Sequence, residues 1–422
     1  MLTLEAPITW EQYLRDSALS REALDDFLQR PRWAQFDPEL GYVLYNSLVP
    51  WGMDDSWTIE TVGVHGARSR FLYAGRKPRI NSYGDSFTEC NQVSDGETWQ
   101  EYLAGHFGEP IGNYGVGGHG VYQAYRRMLR EEQTEHGAEH VILYVWGDDP
   151  TRSLMRARWA ALYRGYELAG HNHGRWRGNP QAQIPFHGNP WPHVEMDVSS
   201  GRFVEKENPL PTPESLYEMC DPEWMADFLR DDLAVQLGAY ASGQISDLAH
   251  ASVDQLSRAL DVRFEWGSDE DCRKQAAELL NVYSQRATNY ILDKAKAFVQ
   301  SSNKKLLVVL NFTDRPIKDY FRDPDVPSEG GRRDQEIVDH LAAGGFDYFD
   351  MNAVHQREYE TTTGSFSQYM SQYIVGGAGH YSPRGNHFFA YSIKDKLLEM
   401  LDPQPVTYRG STGSAIDFSA YL

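Results

Sequence analysis

The chain is predicted to be an α/β domain with a mostly parallel sheet, split by a large and mainly helical insertion. Three observations predict this. Val141-Ile142-Leu143-Tyr144-Val145-Trp146 is an uninterrupted apolar run of the kind required by a strand covered on both faces. Ahead of it, from about Lys77, strand-like and helix-like segments alternate. Behind it the alternation stops for about 150 residues and resumes at Lys305 to Asn311, where Leu306 to Leu310 are apolar.

Taken in order, Trp10, Tyr13, Leu14, Leu19, Leu24, Phe27 and Leu28 have helical spacing, which ends at Pro31 and the irregular Trp33 to Gly52 stretch. Short strand-like segments follow at Tyr42 to Tyr45, Thr58 to Val64 and Ser69 to Tyr73. The main alternation then reads as a strand at Arg79 to Tyr83, a helix over Thr98 to Phe107, a strand at Pro110 to Tyr114 and a helix over Val121 to Glu135. Residues 150–215 are rich in Trp, Tyr, His, Gly and Pro with little periodicity, whereas 222–303 read as helices. The clearest helix starts at Ser268 as N-cap, with Asp269, Glu270 and Asp271 in its first turn and Ala276, Leu280, Tyr283, Ala287, Ile291, Ala295 and Phe298 on one stripe. A last strand is expected near Phe346 to Asp350 and a last helix over Asn386 to Leu401. These segments divide the chain into a helical arm with a small β element at 1–75, an α/β domain from 76–149 and 304–402, an insertion at 150–303 and a tail at 403–422.

With 422 residues, 41% of them hydrophobic and 13% aromatic, the chain has ample material for packed cores. A formal net charge of -20 disfavours nucleic acid or an anionic membrane surface as partner, and favours a neutral or cationic ligand. Cys90, Cys220 and Cys272 are too few and too scattered for a disulfide framework or zinc cluster, and read as reduced thiols. No basic segment leads into an apolar one at the N-terminus and no eighteen apolar residues run together, so a soluble cytoplasmic protein is expected. His171, His173, His187 and His193 lack the cysteines and fixed carboxylate spacing of a metal site, and no metal or cofactor is expected. The oligomeric state is left open, a homo-oligomer included.

Gly84-Asp85-Ser86-Phe87-Thr88 closes the first strand of the alternation, and Asn113-Tyr114-Gly115-Val116-Gly117-Gly118 closes the second. A hydroxyl on a tight strand-to-helix turn, beside a glycine loop, is how an α/β sheet presents a nucleophile next to backbone donors. That pattern points to a serine hydrolase.

GDSFT, VSDGETWQEYLA, GNYGVGGHGVYQAYRRM, VILYVWGDDP and GHYSPRGNHFFA stand in the order and spacing of the SGNH hydrolases, the GDSL-type esterases, which the chain resembles over about 75–150 and 304–401. The resemblance implies a three-layer α/β/α, flavodoxin-like parallel sheet. It implies Ser86 as nucleophile and oxyanion donor, Gly118 as second backbone donor and His380 as general base, with His387 the competing histidine inside the last helix. It implies no metal or cofactor.

Two departures accompany the match. The family's oxyanion-donating asparagine falls on Asp148, and an ionised carboxylate cannot donate. Asp148 must be protonated, turned away, or given another task. The acid that orients the histidine falls on Gly377, leaving a Ser86–His380 dyad with the acid unassigned. Asp85, His119, Trp146, Asp149 and Trp159 are the candidate substrate contacts. Trp159, Tyr163, Tyr166, Trp176 and Trp191, interleaved with Arg156, Arg158, Arg164, Arg175 and Arg177, follow the third strand, where an open sheet has its ligand crevice. They either wall the crevice, stacking on sugars, or pack the insertion. Glu89, Asp95 and Glu97 read as a solvated face and helix start. The expected activity is hydrolysis of an acetyl or other short acyl ester of a carbohydrate or small metabolite. An O-acyltransferase and a catalytically weakened binding or assembly protein are the alternatives.

Overall fold

A computed structural model of the chain describes residues 7–63, 65–157, 192–311, 332, 334–364, 366–375 and 379–409. Two short helices open it. Trp10–Asp16 and Arg21–Gln29 are capped by Thr9 and Ser20, whose side chains accept from Gln12 N and Ala23 N. Antiparallel hairpins β1 (Ala34–Asp37) with β2 (Gly41–Leu44) and β3 (Ser47–Val49) with β4 (Thr58–Glu60) follow. Residues 69–73 form no strand, although alternation suggested one. Phe71 and Leu72 are exposed there, so the segment buries no apolar face that would favour pairing.

The central sheet contains β5 (Ile80–Tyr83), β6 (Ile111–Asn113), β7 (His140–Trp146), β10 (Lys305–Asn311) and β11 (Asp347–Asp350). Every pairing in it is parallel, and the spatial order is β11-β10-β7-β5-β6. Counted along the chain this is 2-1-3-4-5, the order of a doubly wound sheet. The remaining hairpin, β8 (His193–Asp197) with β9 (Arg202–Lys206), belongs to the segment between β7 and β10.

Helices cover both faces of the sheet because successive apolar side chains point to opposite sides. Val141, Leu143, Val145, Leu306, Val308 and Leu310 face one core, which they share with the helices Val121–Glu132, Asp269–Ser301 and Gln335–Ala343. Ile142, Tyr144, Leu307 and Val309 face the other, closed by Trp99–Phe107 and Pro383–Met400. The first core continues without a break into the N-terminal helices and the insertion helices Pro222–Leu229, Leu233–Ala241 and His250–Ala259. Asp269–Ser301, 33 residues long, does both jobs. It packs on the insertion helix Leu233–Ala241 and on β10 of the sheet.

The last helix begins at Pro383, three residues before the position its apolar spacing suggests. Ser382 caps it by accepting from Gly385 N at 3.1 Å, and proline at the first position loses no hydrogen bond. Val121–Glu132 likewise stops short of Glu135. Among the described residues, no helix is long and apolar enough to cross a membrane.

Candidate active site

Ser86 is the first residue of a single helical turn, Ser86–Glu89, that leaves the carboxyl end of β5. Asp85 caps the turn, its carboxylate accepting from Phe87 N–H at 2.9 Å. Cys90, in the left-handed region at φ 64°, ends it. The half-buried Ser86 Oγ therefore points off the sheet edge, where it lies 2.7 Å from His380 Nε2. The Phe87 ring packs 5.1 Å from the His380 ring and stacks 5.1 Å from Trp146. His387 lies elsewhere, near Tyr102 and His106 on the outer side of the last helix.

Backbone pairing and a buried polar chain hold the turn carrying His380. Val375 N donates to His380 O at 2.8 Å and Ser382 N to Tyr373 O at 2.7 Å. Next to the histidine, Tyr381 OH bonds His355 Nε2 at 2.6 Å, and His355 Nδ1 meets Tyr369 OH at 2.9 Å. Asn311 at the end of β10 donates to Tyr381 OH at 3.2 Å and also to Tyr144 OH. A fully paired buried network of this kind resists rotation of any one member.

The far side of the imidazole meets a residue for which the sequence offered no signal. Gln92 is 2% exposed, and its Oε1 lies 3.1 Å from both His380 Nδ1 and His380 N. Its Nε2 donates to Trp51 O at 2.9 Å. Burial, followed by the positive charge of Arg152, pushes the His380 imidazole down to about 3.

The glycine loop after β6 lies against the serine turn. A Cβ on Gly115 would sit 2.1 Å from Glu89 N, so only glycine admits this approach. A Cβ on Gly117 would come within 3.7 Å of the Ser86 Cβ. The two sides of Gly117 are pinned separately: its N–H donates to the Glu89 carboxyl, and its carbonyl accepts from Tyr42 OH at 2.6 Å. In a trans peptide the next N–H points opposite to that carbonyl. The Gly118 N–H is thereby directed away from Tyr42. Gly118 itself has φ 79°, a backbone conformation that favours glycine.

At the end of β7, Asp148 does not stand alone. Arg152, 6% exposed, lies 3.1 Å from Asp148 Oδ1 and 3.0 Å from Asp149 Oδ1. Of the three fates open to Asp148, the structure gives an ion pair with this guanidinium. Burial pushes the Asp85 carboxyl up to about 6, against the pull of Arg152. Burial also drives Asp149 well above the usual carboxylate range, reinforced by Asp85.

Several expected contacts have other work. His119 is buried, its Nε2 3.1 Å from Tyr42 O, and Asp149 accepts from Trp146 N at 2.9 Å. Both hold strand backbone instead of lining a surface, His119 at β2 and Asp149 at the end of β7. Trp146 is half-buried over the Phe87 ring. Trp159, Tyr163, Tyr166, Trp176, Trp191, Arg158, Arg164, Arg175, Arg177, His171, His173, His187 and Gly377 lie outside the described residues, whereas Arg156 lies within them and pairs with Glu195 and Asp231 at 2.8 Å inside the insertion. His193 lies 3.5 Å from Glu195 on the β8–β9 hairpin.

Glu97 does mark a helix start, accepting from Ser94 N at 2.9 Å, but the rest of the acidic stretch is not a solvated face. Glu89 and Asp95 are 1% and 2% exposed. Asp95 pairs with Arg68 at 2.9 Å, and Arg68 also donates to the carbonyls of Glu89 at 2.6 Å and Cys90 at 2.8 Å. Glu89 hydrogen-bonds the Glu60 side chain. Burial, followed by the Glu60 carboxyl, pushes Glu89 well above the usual carboxylate range. An uncompensated charge would be too costly at such a depth, and the internal Arg68 guanidinium is what permits the burial. No family model and no curated protein matches the chain.

Proposed function

We propose that the protein is a serine esterase of SGNH type, hydrolysing an acetyl or other short acyl ester of a carbohydrate or small metabolite. The observation that carries this reading is the 2.7 Å contact between Ser86 Oγ and His380 Nε2 at the carboxyl edge of the sheet. An imidazole at that distance accepts the serine proton as the oxygen attacks an acyl carbon. The strand order, shared with flavodoxin-like sheets, is what an SGNH fold requires.

In the proposed reaction, Ser86 Oγ forms a bond to the ester carbonyl carbon while its proton passes to His380 Nε2. The carbonyl oxygen becomes an oxyanion, for which the Ser86 and Gly118 N–H groups are the proposed donors. Collapse expels the alcohol, which takes the proton back from His380. A water, deprotonated by the same nitrogen, then attacks the acyl-enzyme, and the carboxylic acid leaves with Ser86 restored.

The competing reading, an SGNH-like binding protein, draws support from Asp148. Even paired with Arg152, its carboxylate supplies no hydrogen-bond donor. A fluorophosphonate separates the two readings, since it forms a fast covalent adduct only with an activated serine. Labelling of Ser86 that is lost in Ser86→Ala and His380→Ala supports the esterase.

A further inference from the structure

We propose that Gln92 is a positioning residue for His380: its side-chain carbonyl locks the imidazole in the tautomer that leaves Nε2 bare toward Ser86. This deepens the esterase reading and rests on it for its catalytic meaning.

The assignment of the amide follows from groups whose roles admit no choice. His380 N is a backbone N–H and can only donate, so the Gln92 atom 3.1 Å away is the carbonyl oxygen. Trp51 O can only accept, so the Gln92 atom 2.9 Å from it is the NH2 group. Both ends of the amide give the same orientation. The same Oε1 lies 3.1 Å from His380 Nδ1, and between an acceptor oxygen and a ring nitrogen the nitrogen must carry the hydrogen. A neutral imidazole protonated at Nδ1 has its lone pair on Nε2, the atom 2.7 Å from Ser86 Oγ.

Gln92 does this from an unusual place. It sits at φ 72° in the left-handed region, two residues past Cys90 at φ 64°, so that its buried side chain turns back beneath the serine turn. Trp51 lies between β3 and β4, which places the anchoring carbonyl on the N-terminal segment. The orienting relay therefore runs from the Trp51 carbonyl through the Gln92 amide to the imidazole.

A neutral amide differs from the usual carboxylate in one respect. It fixes the tautomer but adds no negative charge to hold an imidazolium. The groups around the ring agree with this: Phe87 is apolar, Ser86 and Gln92 are neutral, and the Arg152 cation opposes protonation. The Asp85 carboxylate stands behind Ser86, 3.4 Å from its Oγ. The site keeps His380 in its basic form over a wide pH range at the expense of a less stable imidazolium.

The test is the nitrogen spectrum of the His380 ring in the full-length protein labelled with 15N-histidine, assigned by its loss in His380→Gln. Long-range 1H–15N correlations at pH 7 are expected to show Nδ1 protonated and Nε2 bare. Gln92→Met, checked for folding by circular dichroism, is expected to lose that single tautomer. Gln92→Glu is expected to keep it and to raise the pH at which the imidazolium appears, because a carboxylate partner favours the charged ring. Fluorophosphonate labelling of Gln92→Met should slow by about a hundredfold. An Nε2-protonated ring in the parent protein, or an unchanged tautomer in Gln92→Met, would overturn the proposal. A Gln92-dependent tautomer in a protein whose Ser86 does not label would uphold Gln92 while removing the esterase reading.

Discussion

Asp148 Oδ1 lies 3.1 Å from Arg152 Nη2, so this carboxylate is charge-paired inside the fold. Arg152 also holds Asp149, at 3.0 Å. Replacing Asp148 by asparagine leaves the second partner in place and adds a donor near the serine. Asp148→Asn is expected to raise kcat on a neutral p-nitrophenyl acetate substrate by about tenfold, the effect of one hydrogen bond to a charged group. A fall of tenfold or more would give Asp148 a chemical role of its own.

Arg152→Met strands two acidic side chains that are 12% and 1% exposed. Removing one partner of a buried pair costs about 3 to 5 kcal/mol. Urea unfolding should show a loss of that order, larger than that of Asp148→Asn.

The same reasoning applies more strongly to Arg68. Its side chain is 1% exposed, pairs with Asp95, and donates to three carbonyls of the 89–93 turn that carries Gln92. Arg68→Met is expected to lower stability by about 3 to 5 kcal/mol and to weaken the hold on Gln92. A loss under about 1 kcal/mol would show that the turn is organised without it.

The Tyr42 hydroxyl should be felt in turnover. Tyr42→Phe removes the 2.6 Å bond to Gly117 O and frees the peptide whose N–H belongs to Gly118. The expected result is a drop in kcat of at least several fold with KM unchanged, and a stability loss of about 1 kcal/mol. Equal changes in kcat for Tyr42→Phe and for a conservative change remote from the site would count against it.

The folded His380 pKa is lowered to about 3 from the ordinary 6.5, so its neutral form persists well below the usual range. The kcat/KM profile on a short-chain ester should therefore lack an acid limb near 6.5 assignable to His380. Gln92→Glu should introduce one at higher pH than in the parent. Burial also lowers His355, to about 3, and it contributes stability that is present above 6.5 and declines as pH falls below that value, because the unfolded chain then binds the proton first.

Much of the sheet is legible in the sequence, for a physical reason. Strands buried on both faces need unbroken apolar runs, and His140–Trp146 and Lys305–Asn311 have them. The Ser268 cap and its acidic first turn likewise announce Asp269–Ser301. Ser86 and His380, which the fold brings to 2.7 Å, are legible because each stands beside a recognisable turn. Gln92 is not, since its role depends on a left-handed turn and on a partner 288 residues away, and neither leaves a periodic trace. Glu89 and Asp95 misled for a related reason. An acidic run resembles a wet surface until Arg68 and Glu60, from distant segments, come to lie against it.

The most direct test of the central claim is intact-mass analysis after brief incubation with a fluorophosphonate, run beside Ser86→Ala and His380→Ala. One adduct is expected on the parent protein and none on either variant. No adduct on folded parent protein, under conditions that label a control serine esterase, would contradict it.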